Sequence, residues 1–389
     1  MAASTCNSEF CNMLTALDES FMHQAALPFE LCVPSDHRFF DRTVLTATAP
    51  DGSAGMIFGM GAYKNMNVLD GFAAVQVDRA RQLNLRLSRE LRPDMSQTLG
   101  PIRIEIVKPF EQIRYILESN DHAPFSFDMV FSKFLAPILE EPHVHRSSGR
   151  VTQDYLRFNQ LMTAGGTIEI EGTTHQAERW FGWRDHSWGV RPSVGGFEPP
   201  VPGVTDAFPS AARAGGKGMV LFYIGFNVED ALGGGIQIIE TADGASIYFT
   251  GHFGAADGKQ SPVKSYEWSV ETFAGTRAPR RVFVNAITED GTHYEIVAEP
   301  AGAPWAYKGF GYDSGYNDGK GQGVWRSQDV SAEHDIYDIS HPAEVIMPDG
   351  TKLRPNHREV PVQVTVNGRT GHGYMPFIAI GDVVKLRAG

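Results

Sequence analysis

Cysteine is scarce in this chain of 389 residues: Cys6, Cys11 and Cys32, all near its start, are the only three. An odd number crowded into one segment excludes a disulfide framework, and nothing at metal-ligand spacing follows them, so they read as reduced thiols. Basic charge is also in deficit, with 34 Lys and Arg against 46 Asp and Glu and a formal charge of −12. Binding nucleic acid without regard to sequence needs clustered cations that displace counterions, which excludes that class of partner. No apolar run approaches the roughly 20 residues that span a bilayer. The opening MAASTCNSEFCNML lacks the basic start and continuous apolar block of a signal peptide. Together these absences point to a soluble, cytoplasmic protein without a membrane span.

Nucleotide motifs are missing too. There is no Gly-x-x-x-x-Gly-Lys-Ser/Thr loop, and Gly59-Met60-Gly61 lacks the third glycine and the parallel βαβ setting of a dinucleotide fingerprint. Asp313 to Gly319 is oxygen-rich, but its ligands do not fall at the alternate positions of a calcium loop. His143 and His145 have metal-like spacing, yet they follow Pro142 beside Arg146 and read as an exposed loop. Asp185-His186-Ser187-Trp188-Gly189 resembles a nucleophile elbow without its first glycine. The Gly- and Pro-rich sequence after Arg191 supplies no helix to strain the serine, which argues against a serine hydrolase. No metal site is assigned.

What is present is β structure. Hydrophobic residues make up 42% of the chain and charged residues 21%, enough for well-filled cores, and the length suits two or three domains at about 150 residues each. Asp51-Gly52, Asp243-Gly244, Asp290-Gly291, Asp349-Gly350 and Asn367-Gly368 each predict a tight reversal. Their flanks (Thr43 to Ala49, Ile247 to Thr250, Val282 to Ile287, Thr292 to Val297, Val362 to Val366) are β-branched, aromatic or alternating. Arg103 to Val107 and Thr167 to Glu171 alternate as strands with one wet face. One short helix is predicted near the N-terminus, where Phe10, Met13, Leu14, Leu17 and Phe21 follow the cap Ser8. Gln82 to Glu90 fits either a short helix or a strand. The Pro- and Gly-rich stretch Pro192 to Pro209 divides the chain into a domain of residues 1–195 and another of 196–389. Their common texture predicts two antiparallel β-barrels.

Trp183-Arg184-Asp185-His186-Ser187-Trp188-Gly189-Val190-Arg191 packs two tryptophans, two arginines, a carboxylate and an imidazole into nine residues. On residues alone this is either a salt-bridged structural corner or a site. Arg184 to Gly189 with Arg191, preceded by Tyr155, Gln160 and Gly165 to Gly172, resembles the signature of the AttH-like and carotenoid 1,2-hydratase (hydroxyneurosporene synthase) superfamily. Phe40-Asp41-Arg42, Gly61 to Asn65 and Gly100 to Glu105 are similar to its uncharacterised bacterial branch. In the second half the likeness thins to features such as Gly309-Phe310-Gly311-Tyr312.

The resemblance implies an all-β fold of two lipocalin-like barrels side by side with the motif near their junction. It implies apolar ligands, isoprenoid or polyketide-derived among them, and activities such as double-bond hydration and cofactor-free cyclisation. Small closed barrels hold such ligands. Aromatic walls stabilise developing cations, and a carboxyl in an apolar hollow stays protonated near neutrality. No cofactor is required.

The resemblance assigns catalysis to the positions of His186 and Trp188 and to a Tyr-x-Asp on a following strand. The nearest counterpart is Tyr223-Ile224-Gly225, with the tyrosine present and the acid absent. Strand alternation puts Trp183, Asp185 and Ser187 on one face and Arg184, His186 and Trp188 on the other, so without a bulge Asp185 and His186 cannot share a cavity. Asp185 is then a substitute acid pointing inward or, by preference, a structural partner of Arg184 or Arg191. The expected catalytic set is His186, Trp188, Tyr223 and Asp185. Trp183, Arg191, Tyr63, Asn65 and Trp305 are expected to contact the ligand, while Tyr307 and Tyr312 read as core packing by preference and otherwise as wall of the second barrel. The function expected is a cofactor-independent lyase or isomerase, hydratase- or cyclase-like, acting by acid/base chemistry on an apolar unsaturated small molecule. The alternative is a non-catalytic carrier or sensor of a hydrophobic molecule.

Overall fold

Left-handed turns reverse the chain where the Gly pairs predict them. At the Asn367-Gly368 hairpin both residues take positive φ, 48° and 79°, the twist that matches two right-handed strands. The structure, a computed structural model, describes residues 23–91, 96–147, 150–196, 218–229, 231–256, 258–310, 312 and 316–387. The predicted N-terminal helix, Cys6, Cys11, most of the Pro192 to Pro209 stretch and Asp313 to Gly315 lie outside the described residues.

The first sheet is built from β1 (Phe39–Thr48), β2 (Ala54–Tyr63), β3 (Val68–Val77), β4 (Arg81–Glu90), β5 (Thr98–Leu99), β6 (Ile102–Lys108), β7 (Gln112–Leu117), β8 (Phe125–Lys133), β9 (Ile138–Leu139), β10 (His143–Ser147), β11 (Arg150–Ile170) and β12 (Thr173–Val190). There follow β13 (Gly218–Val228), β14 (Leu232–Thr241), β15 (Ser246–Ala255), β16 (Ser261–Thr272), β17 (Pro279–Thr288), β18 (His293–Pro300) and β19 (Trp305–Ala306). The chain ends with β20 (Ser331–Asp338), β21 (Val345–Ile346), β22 (Lys352–Leu353), β23 (His357–Val366) and β24 (Arg369–Gly381). Gln82 to Glu90 is a strand, and the described residues form no α-helix, only 3₁₀ turns at Lys64–Met66 and Val384–Leu386.

The first sheet runs β5-β6-β7-β8-β11-β12-β1-β2-β3-β4-β20-β21-β22, with β9 and β10 on β11. The second runs from β13 through β18, and β18 pairs with β23, β23 with β24 and β24 with β13, which closes an eight-stranded antiparallel barrel. Each curls around its own core, Phe58, Tyr115, Phe131 and Met162 in the first, Phe222, Phe226, Phe253 and Trp268 in the second.

Two expectations need correction. Residues after 196 do not all build the second unit, because β20, β21 and β22 return to the first sheet. Arg86 on β4, fully buried, anchors that return with a bidentate pair to Asp335 at 2.8 and 3.0 Å. Nor is the second barrel's interior empty: the aromatic cluster above occupies it, as side chains can in an eight-stranded barrel. A third cluster lies between the two sheets and includes Trp183, Tyr223, Trp305, Tyr307 and Tyr374.

Candidate active site

The motif strand β12 lies between β1 and β11. Its register with β1 runs unbroken from Phe39 opposite Val190 to Thr48 opposite Phe181. No bulge interrupts it, so alternation decides which side chain faces which way. Gly189 takes φ 135°, and a Cβ there would stand 2.3 Å from the Asp154 carbonyl oxygen. Only glycine lets β11 and β12 close at that point.

Arg184, His186 and Trp188 face the concave side of their own sheet. Arg184 donates to Gln160 Oε1 at 2.6 and 3.0 Å. The His186 ring shares a 2.6 Å hydrogen bond between Nε2 and Asp41 Oδ1, half-exposed, beside Phe158 and Trp188. Trp183 and Asp185 face the barrel. Trp183 packs against Tyr223 of β13 and Tyr374 of β24, with ring centroids 5.5 and 6.0 Å away. The sheet therefore separates His186 and Trp188 from Asp185 and Tyr223, and the four do not form one site.

Around Asp185 the structure gathers a different set. In one row of the ladder Ser187 stands between Arg42 on β1 and Arg157 on β11; in the next, Asp185 stands between Val44 and Asn159. Asp185 thus has an arginine one diagonal step away on each side, a spacing of about 7–8 Å between backbones. Among the described residues its carboxyl makes no ion pair or hydrogen bond, with Arg184 and Arg191 or otherwise, so the structural pairing expected of it is not present. Burial pushes its pKa up to about 6, against the pull of Arg157 and Arg42.

Both arginines are committed elsewhere. Arg157 donates to Glu140 and Gln237, each at 2.7 Å. Glu140 also meets His143 Nε2 at 2.8 Å and is held below the usual carboxylate range by Arg157 and His143 in spite of its burial. His143 is therefore a buried strand residue, not part of an exposed loop. Arg42 donates to the Tyr312 hydroxyl at 2.9 Å and to the Phe310 carbonyl at 3.0 Å. Arg191 reaches the same hydroxyl at 3.5 Å and donates to Gln322 at 2.6 Å. Burial alone would raise the Tyr312 phenol; Arg191, Arg42 and His357 overcome it and bring the pKa down to about 7.

Tyr312 also packs edge-on against Tyr307 and His357. Behind them, Tyr307 donates to Glu359 at 2.6 Å, and His357 Nε2 lies 2.9 Å from the other oxygen of that carboxylate. Asp185, Arg157, Arg191, Tyr312 and His357 are all partly solvent-accessible although both sheets surround them. The space is a crevice, walled by aromatic rings and lined by groups that titrate or carry charge.

The remaining expected residues fall around it or away from it. Tyr63 is buried behind Arg42, 3.3 Å from the Gln322 side-chain oxygen. Trp305 is fully buried packing. Asn65 is exposed and ties down the loop at Pro34 and Asp36. Sequence reasoning did not single out Arg157, His357 and Glu359, named Arg42 only within the resemblance and gave it no role, and took Tyr312 as core packing or barrel wall. One signal was available: Arg157 alternates with Tyr155 and Asn159 beside the motif. No cluster of three or more His, Cys, Asp or Glu suited to a metal ion occurs among the described residues.

A family model, described as a family of unknown function (DUF8625), matches residues 14–385. The chain belongs to that family. Among curated proteins none matches it in sequence. Of solved structures, a protein of Nitrosomonas europaea provisionally named AttH is similar at 14% identity and TM-score 0.51, over 93% of this chain and 98% of that one. It shares the fold, which is AttH-like. CghA with Sch210972 (8% identity, TM-score 0.45, 89% of each chain) and kievitone hydratase from Nectria haematococca (8%, 0.43, 86% and 88%) are more distant.

Proposed function

We propose that the crevice between the sheets carries out cofactor-independent acid/base chemistry on an apolar unsaturated small molecule, as a hydratase or cyclase does. The observation that carries the reading is the pairing of an unbonded carboxyl, Asp185, with a phenol, Tyr312, that two guanidiniums hold. A carboxyl raised to about 6 and a phenol lowered to about 7 are both poised near neutrality. Between those values the prevailing forms are Asp185 carboxylate and Tyr312 phenol, so Asp185 is the base and Tyr312 the acid.

Arg42 and Arg191 converge on the Tyr312 hydroxyl, which suits negative charge growing on a substrate oxygen. A double bond conjugated to a carbonyl fits this polarity. In hydration, Asp185 takes a proton from water as its oxygen bonds to the far alkene carbon. The alkene electrons move to the carbonyl oxygen, which receives the Tyr312 proton. Asp185 then gives the proton it took from water to the near carbon while the enol oxygen returns its proton to Tyr312, which restores the carbonyl and both residues and completes the addition of one water. Trp183, Tyr223, Tyr307 and Tyr374 supply apolar walls.

The test incubates the protein with a panel of aryl and long-chain unsaturated ketones in heavy-oxygen water and follows product mass. Label incorporation that falls about a hundredfold or more in Asp185→Asn and Tyr312→Phe supports the reading. Binding of panel members with no turnover would favour the carrier, a reading supported by glycine at 225 where the resemblance expects an acid.

A further inference from the structure

At one end the closed barrel is open. A cavity of about 1010 Å³ lies between its rim and the segment that returns to the first sheet, at the upper end of the range for small-molecule pockets. Its floor is apolar and includes Phe273, Val360, Phe377 and Ala379, the last three belonging to the barrel's own core. Alternation along β23 points Arg358 and Val360 into this mouth while His357 and Glu359 face the crevice. The two spaces lie on opposite sides of one strand.

The mouth carries more cations than carboxylates, Arg79, Arg277, Arg354 and Arg358 against Glu344. Arg358 is only 6% exposed, and its hydrogen bonds all go to main-chain carbonyls: Nε to Trp305 at 3.1 Å, Nη1 to Glu344 at 3.2 Å and Nη2 to Pro304 at 2.6 Å. A guanidinium has five N–H groups, so each terminal nitrogen keeps one without an acceptor among the described residues. Arg79 and Arg277 also line the cavity and pair with no carboxylate. Arg79 donates to the Asp51 carbonyl, and Arg277 to the Gly381 carbonyl at 2.6 Å and to Asn356 at 3.1 Å. Arg354 alone is matched, by Glu344 at 2.6 Å. A buried guanidinium left without an anion is costly, and its fork is shaped for two carboxylate oxygens.

We propose that the barrel mouth is a second binding site, for an organic anion with an apolar tail, such as a fatty carboxylate. The head pairs with Arg358 under the rim arginines, and the tail lies on Phe273, Val360 and Phe377.

Isothermal titration calorimetry on the full chain tests this with dodecanoate, dodecanol and dodecyltrimethylammonium. Dodecanoate is expected to bind at one site, about tenfold or more tighter than the alcohol, and the cation not at all. Arg358→Gln is expected to weaken dodecanoate by about tenfold to a hundredfold. Because Arg358 also braces three carbonyls, Ala343→Trp, which fills the cavity from its edge, provides an independent block of at least about tenfold with the circular dichroism spectrum intact. Asp185→Asn, in the crevice, is expected to leave the affinity as it is. Equal binding of the three probes, or dodecanoate binding that survives Ala343→Trp in a folded protein, would overturn the proposal.

Discussion

Asp185 on β12 and Arg42 on β1 stand one diagonal step apart on the same face of the first sheet, and they do not pair. Arg42 gives its hydrogen bonds to Tyr312 and the Phe310 carbonyl instead. The arginine acidifies the phenol, and the carboxyl, left without a donor, keeps its proton longer than an ordinary aspartate. One arrangement thus moves two pKa values toward each other from opposite sides.

A stability measurement checks the carboxyl. In the folded state Asp185 binds its proton up to about pH 6, whereas its ordinary value is 3.8. The native state therefore holds more protons across that window, and this residue's contribution weakens as pH rises through it, by on the order of 1–3 kcal/mol. Asn develops no charge. Urea denaturation should show Asp185→Asn gaining on the wild type from about pH 4 to about pH 6, with a constant difference above. A difference independent of pH would mean that the carboxyl is not raised.

Catalysis by this pair has its own signature. With a carboxylate base near 6 and a phenol acid near 7, kcat/KM on any substrate found should follow a narrow bell centred between them. It should fall about tenfold per pH unit on either side. Tyr312→Phe should remove the alkaline limb along with most of the rate.

His186 gives the contrast. It lies on the other face of β12 in a half-exposed pair with Asp41. His186→Ala is expected to cost on the order of 1 kcal/mol or less in thermal or urea unfolding and to leave the Tyr312 ionisation where it is. Loss of label incorporation in His186→Ala comparable to that in Asp185→Asn would put the chemistry on the concave face instead.

Gly189 is a backbone requirement. Its φ of 135° and the 2.3 Å approach of the Asp154 carbonyl to any Cβ leave no room for alanine. Gly189→Ala should destabilise by about 2–4 kcal/mol, read as a lower urea midpoint.

Local signals made much of this legible. The five Gly pairs mark real reversals, and strict alternation through the motif already separates Asp185 from His186. The crevice was hidden because its parts come from distant stretches: Arg42 and Tyr312, in hydrogen-bond contact, are 270 residues apart. Nothing in the polar run Ser331 to Asp338 shows that it crosses back to β4, since that pairing is made through the backbone and a buried Arg86–Asp335 pair. Whether a barrel is hollow or filled depends on which side chains meet across it, and Phe222 on β13 meets Trp268 on β16 and Phe377 on β24, strands far apart in sequence.

The poised phenol can be read directly from tyrosinate absorbance, followed from mildly acidic to strongly alkaline pH in the wild type, Tyr312→Phe and Arg42→Gln. One tyrosine should ionise with a midpoint near 7, vanish in Tyr312→Phe and move toward the ordinary value of about 10 in Arg42→Gln. A wild type in which every tyrosine ionises at or above that ordinary value would contradict the assignment of the crevice as an acid/base site.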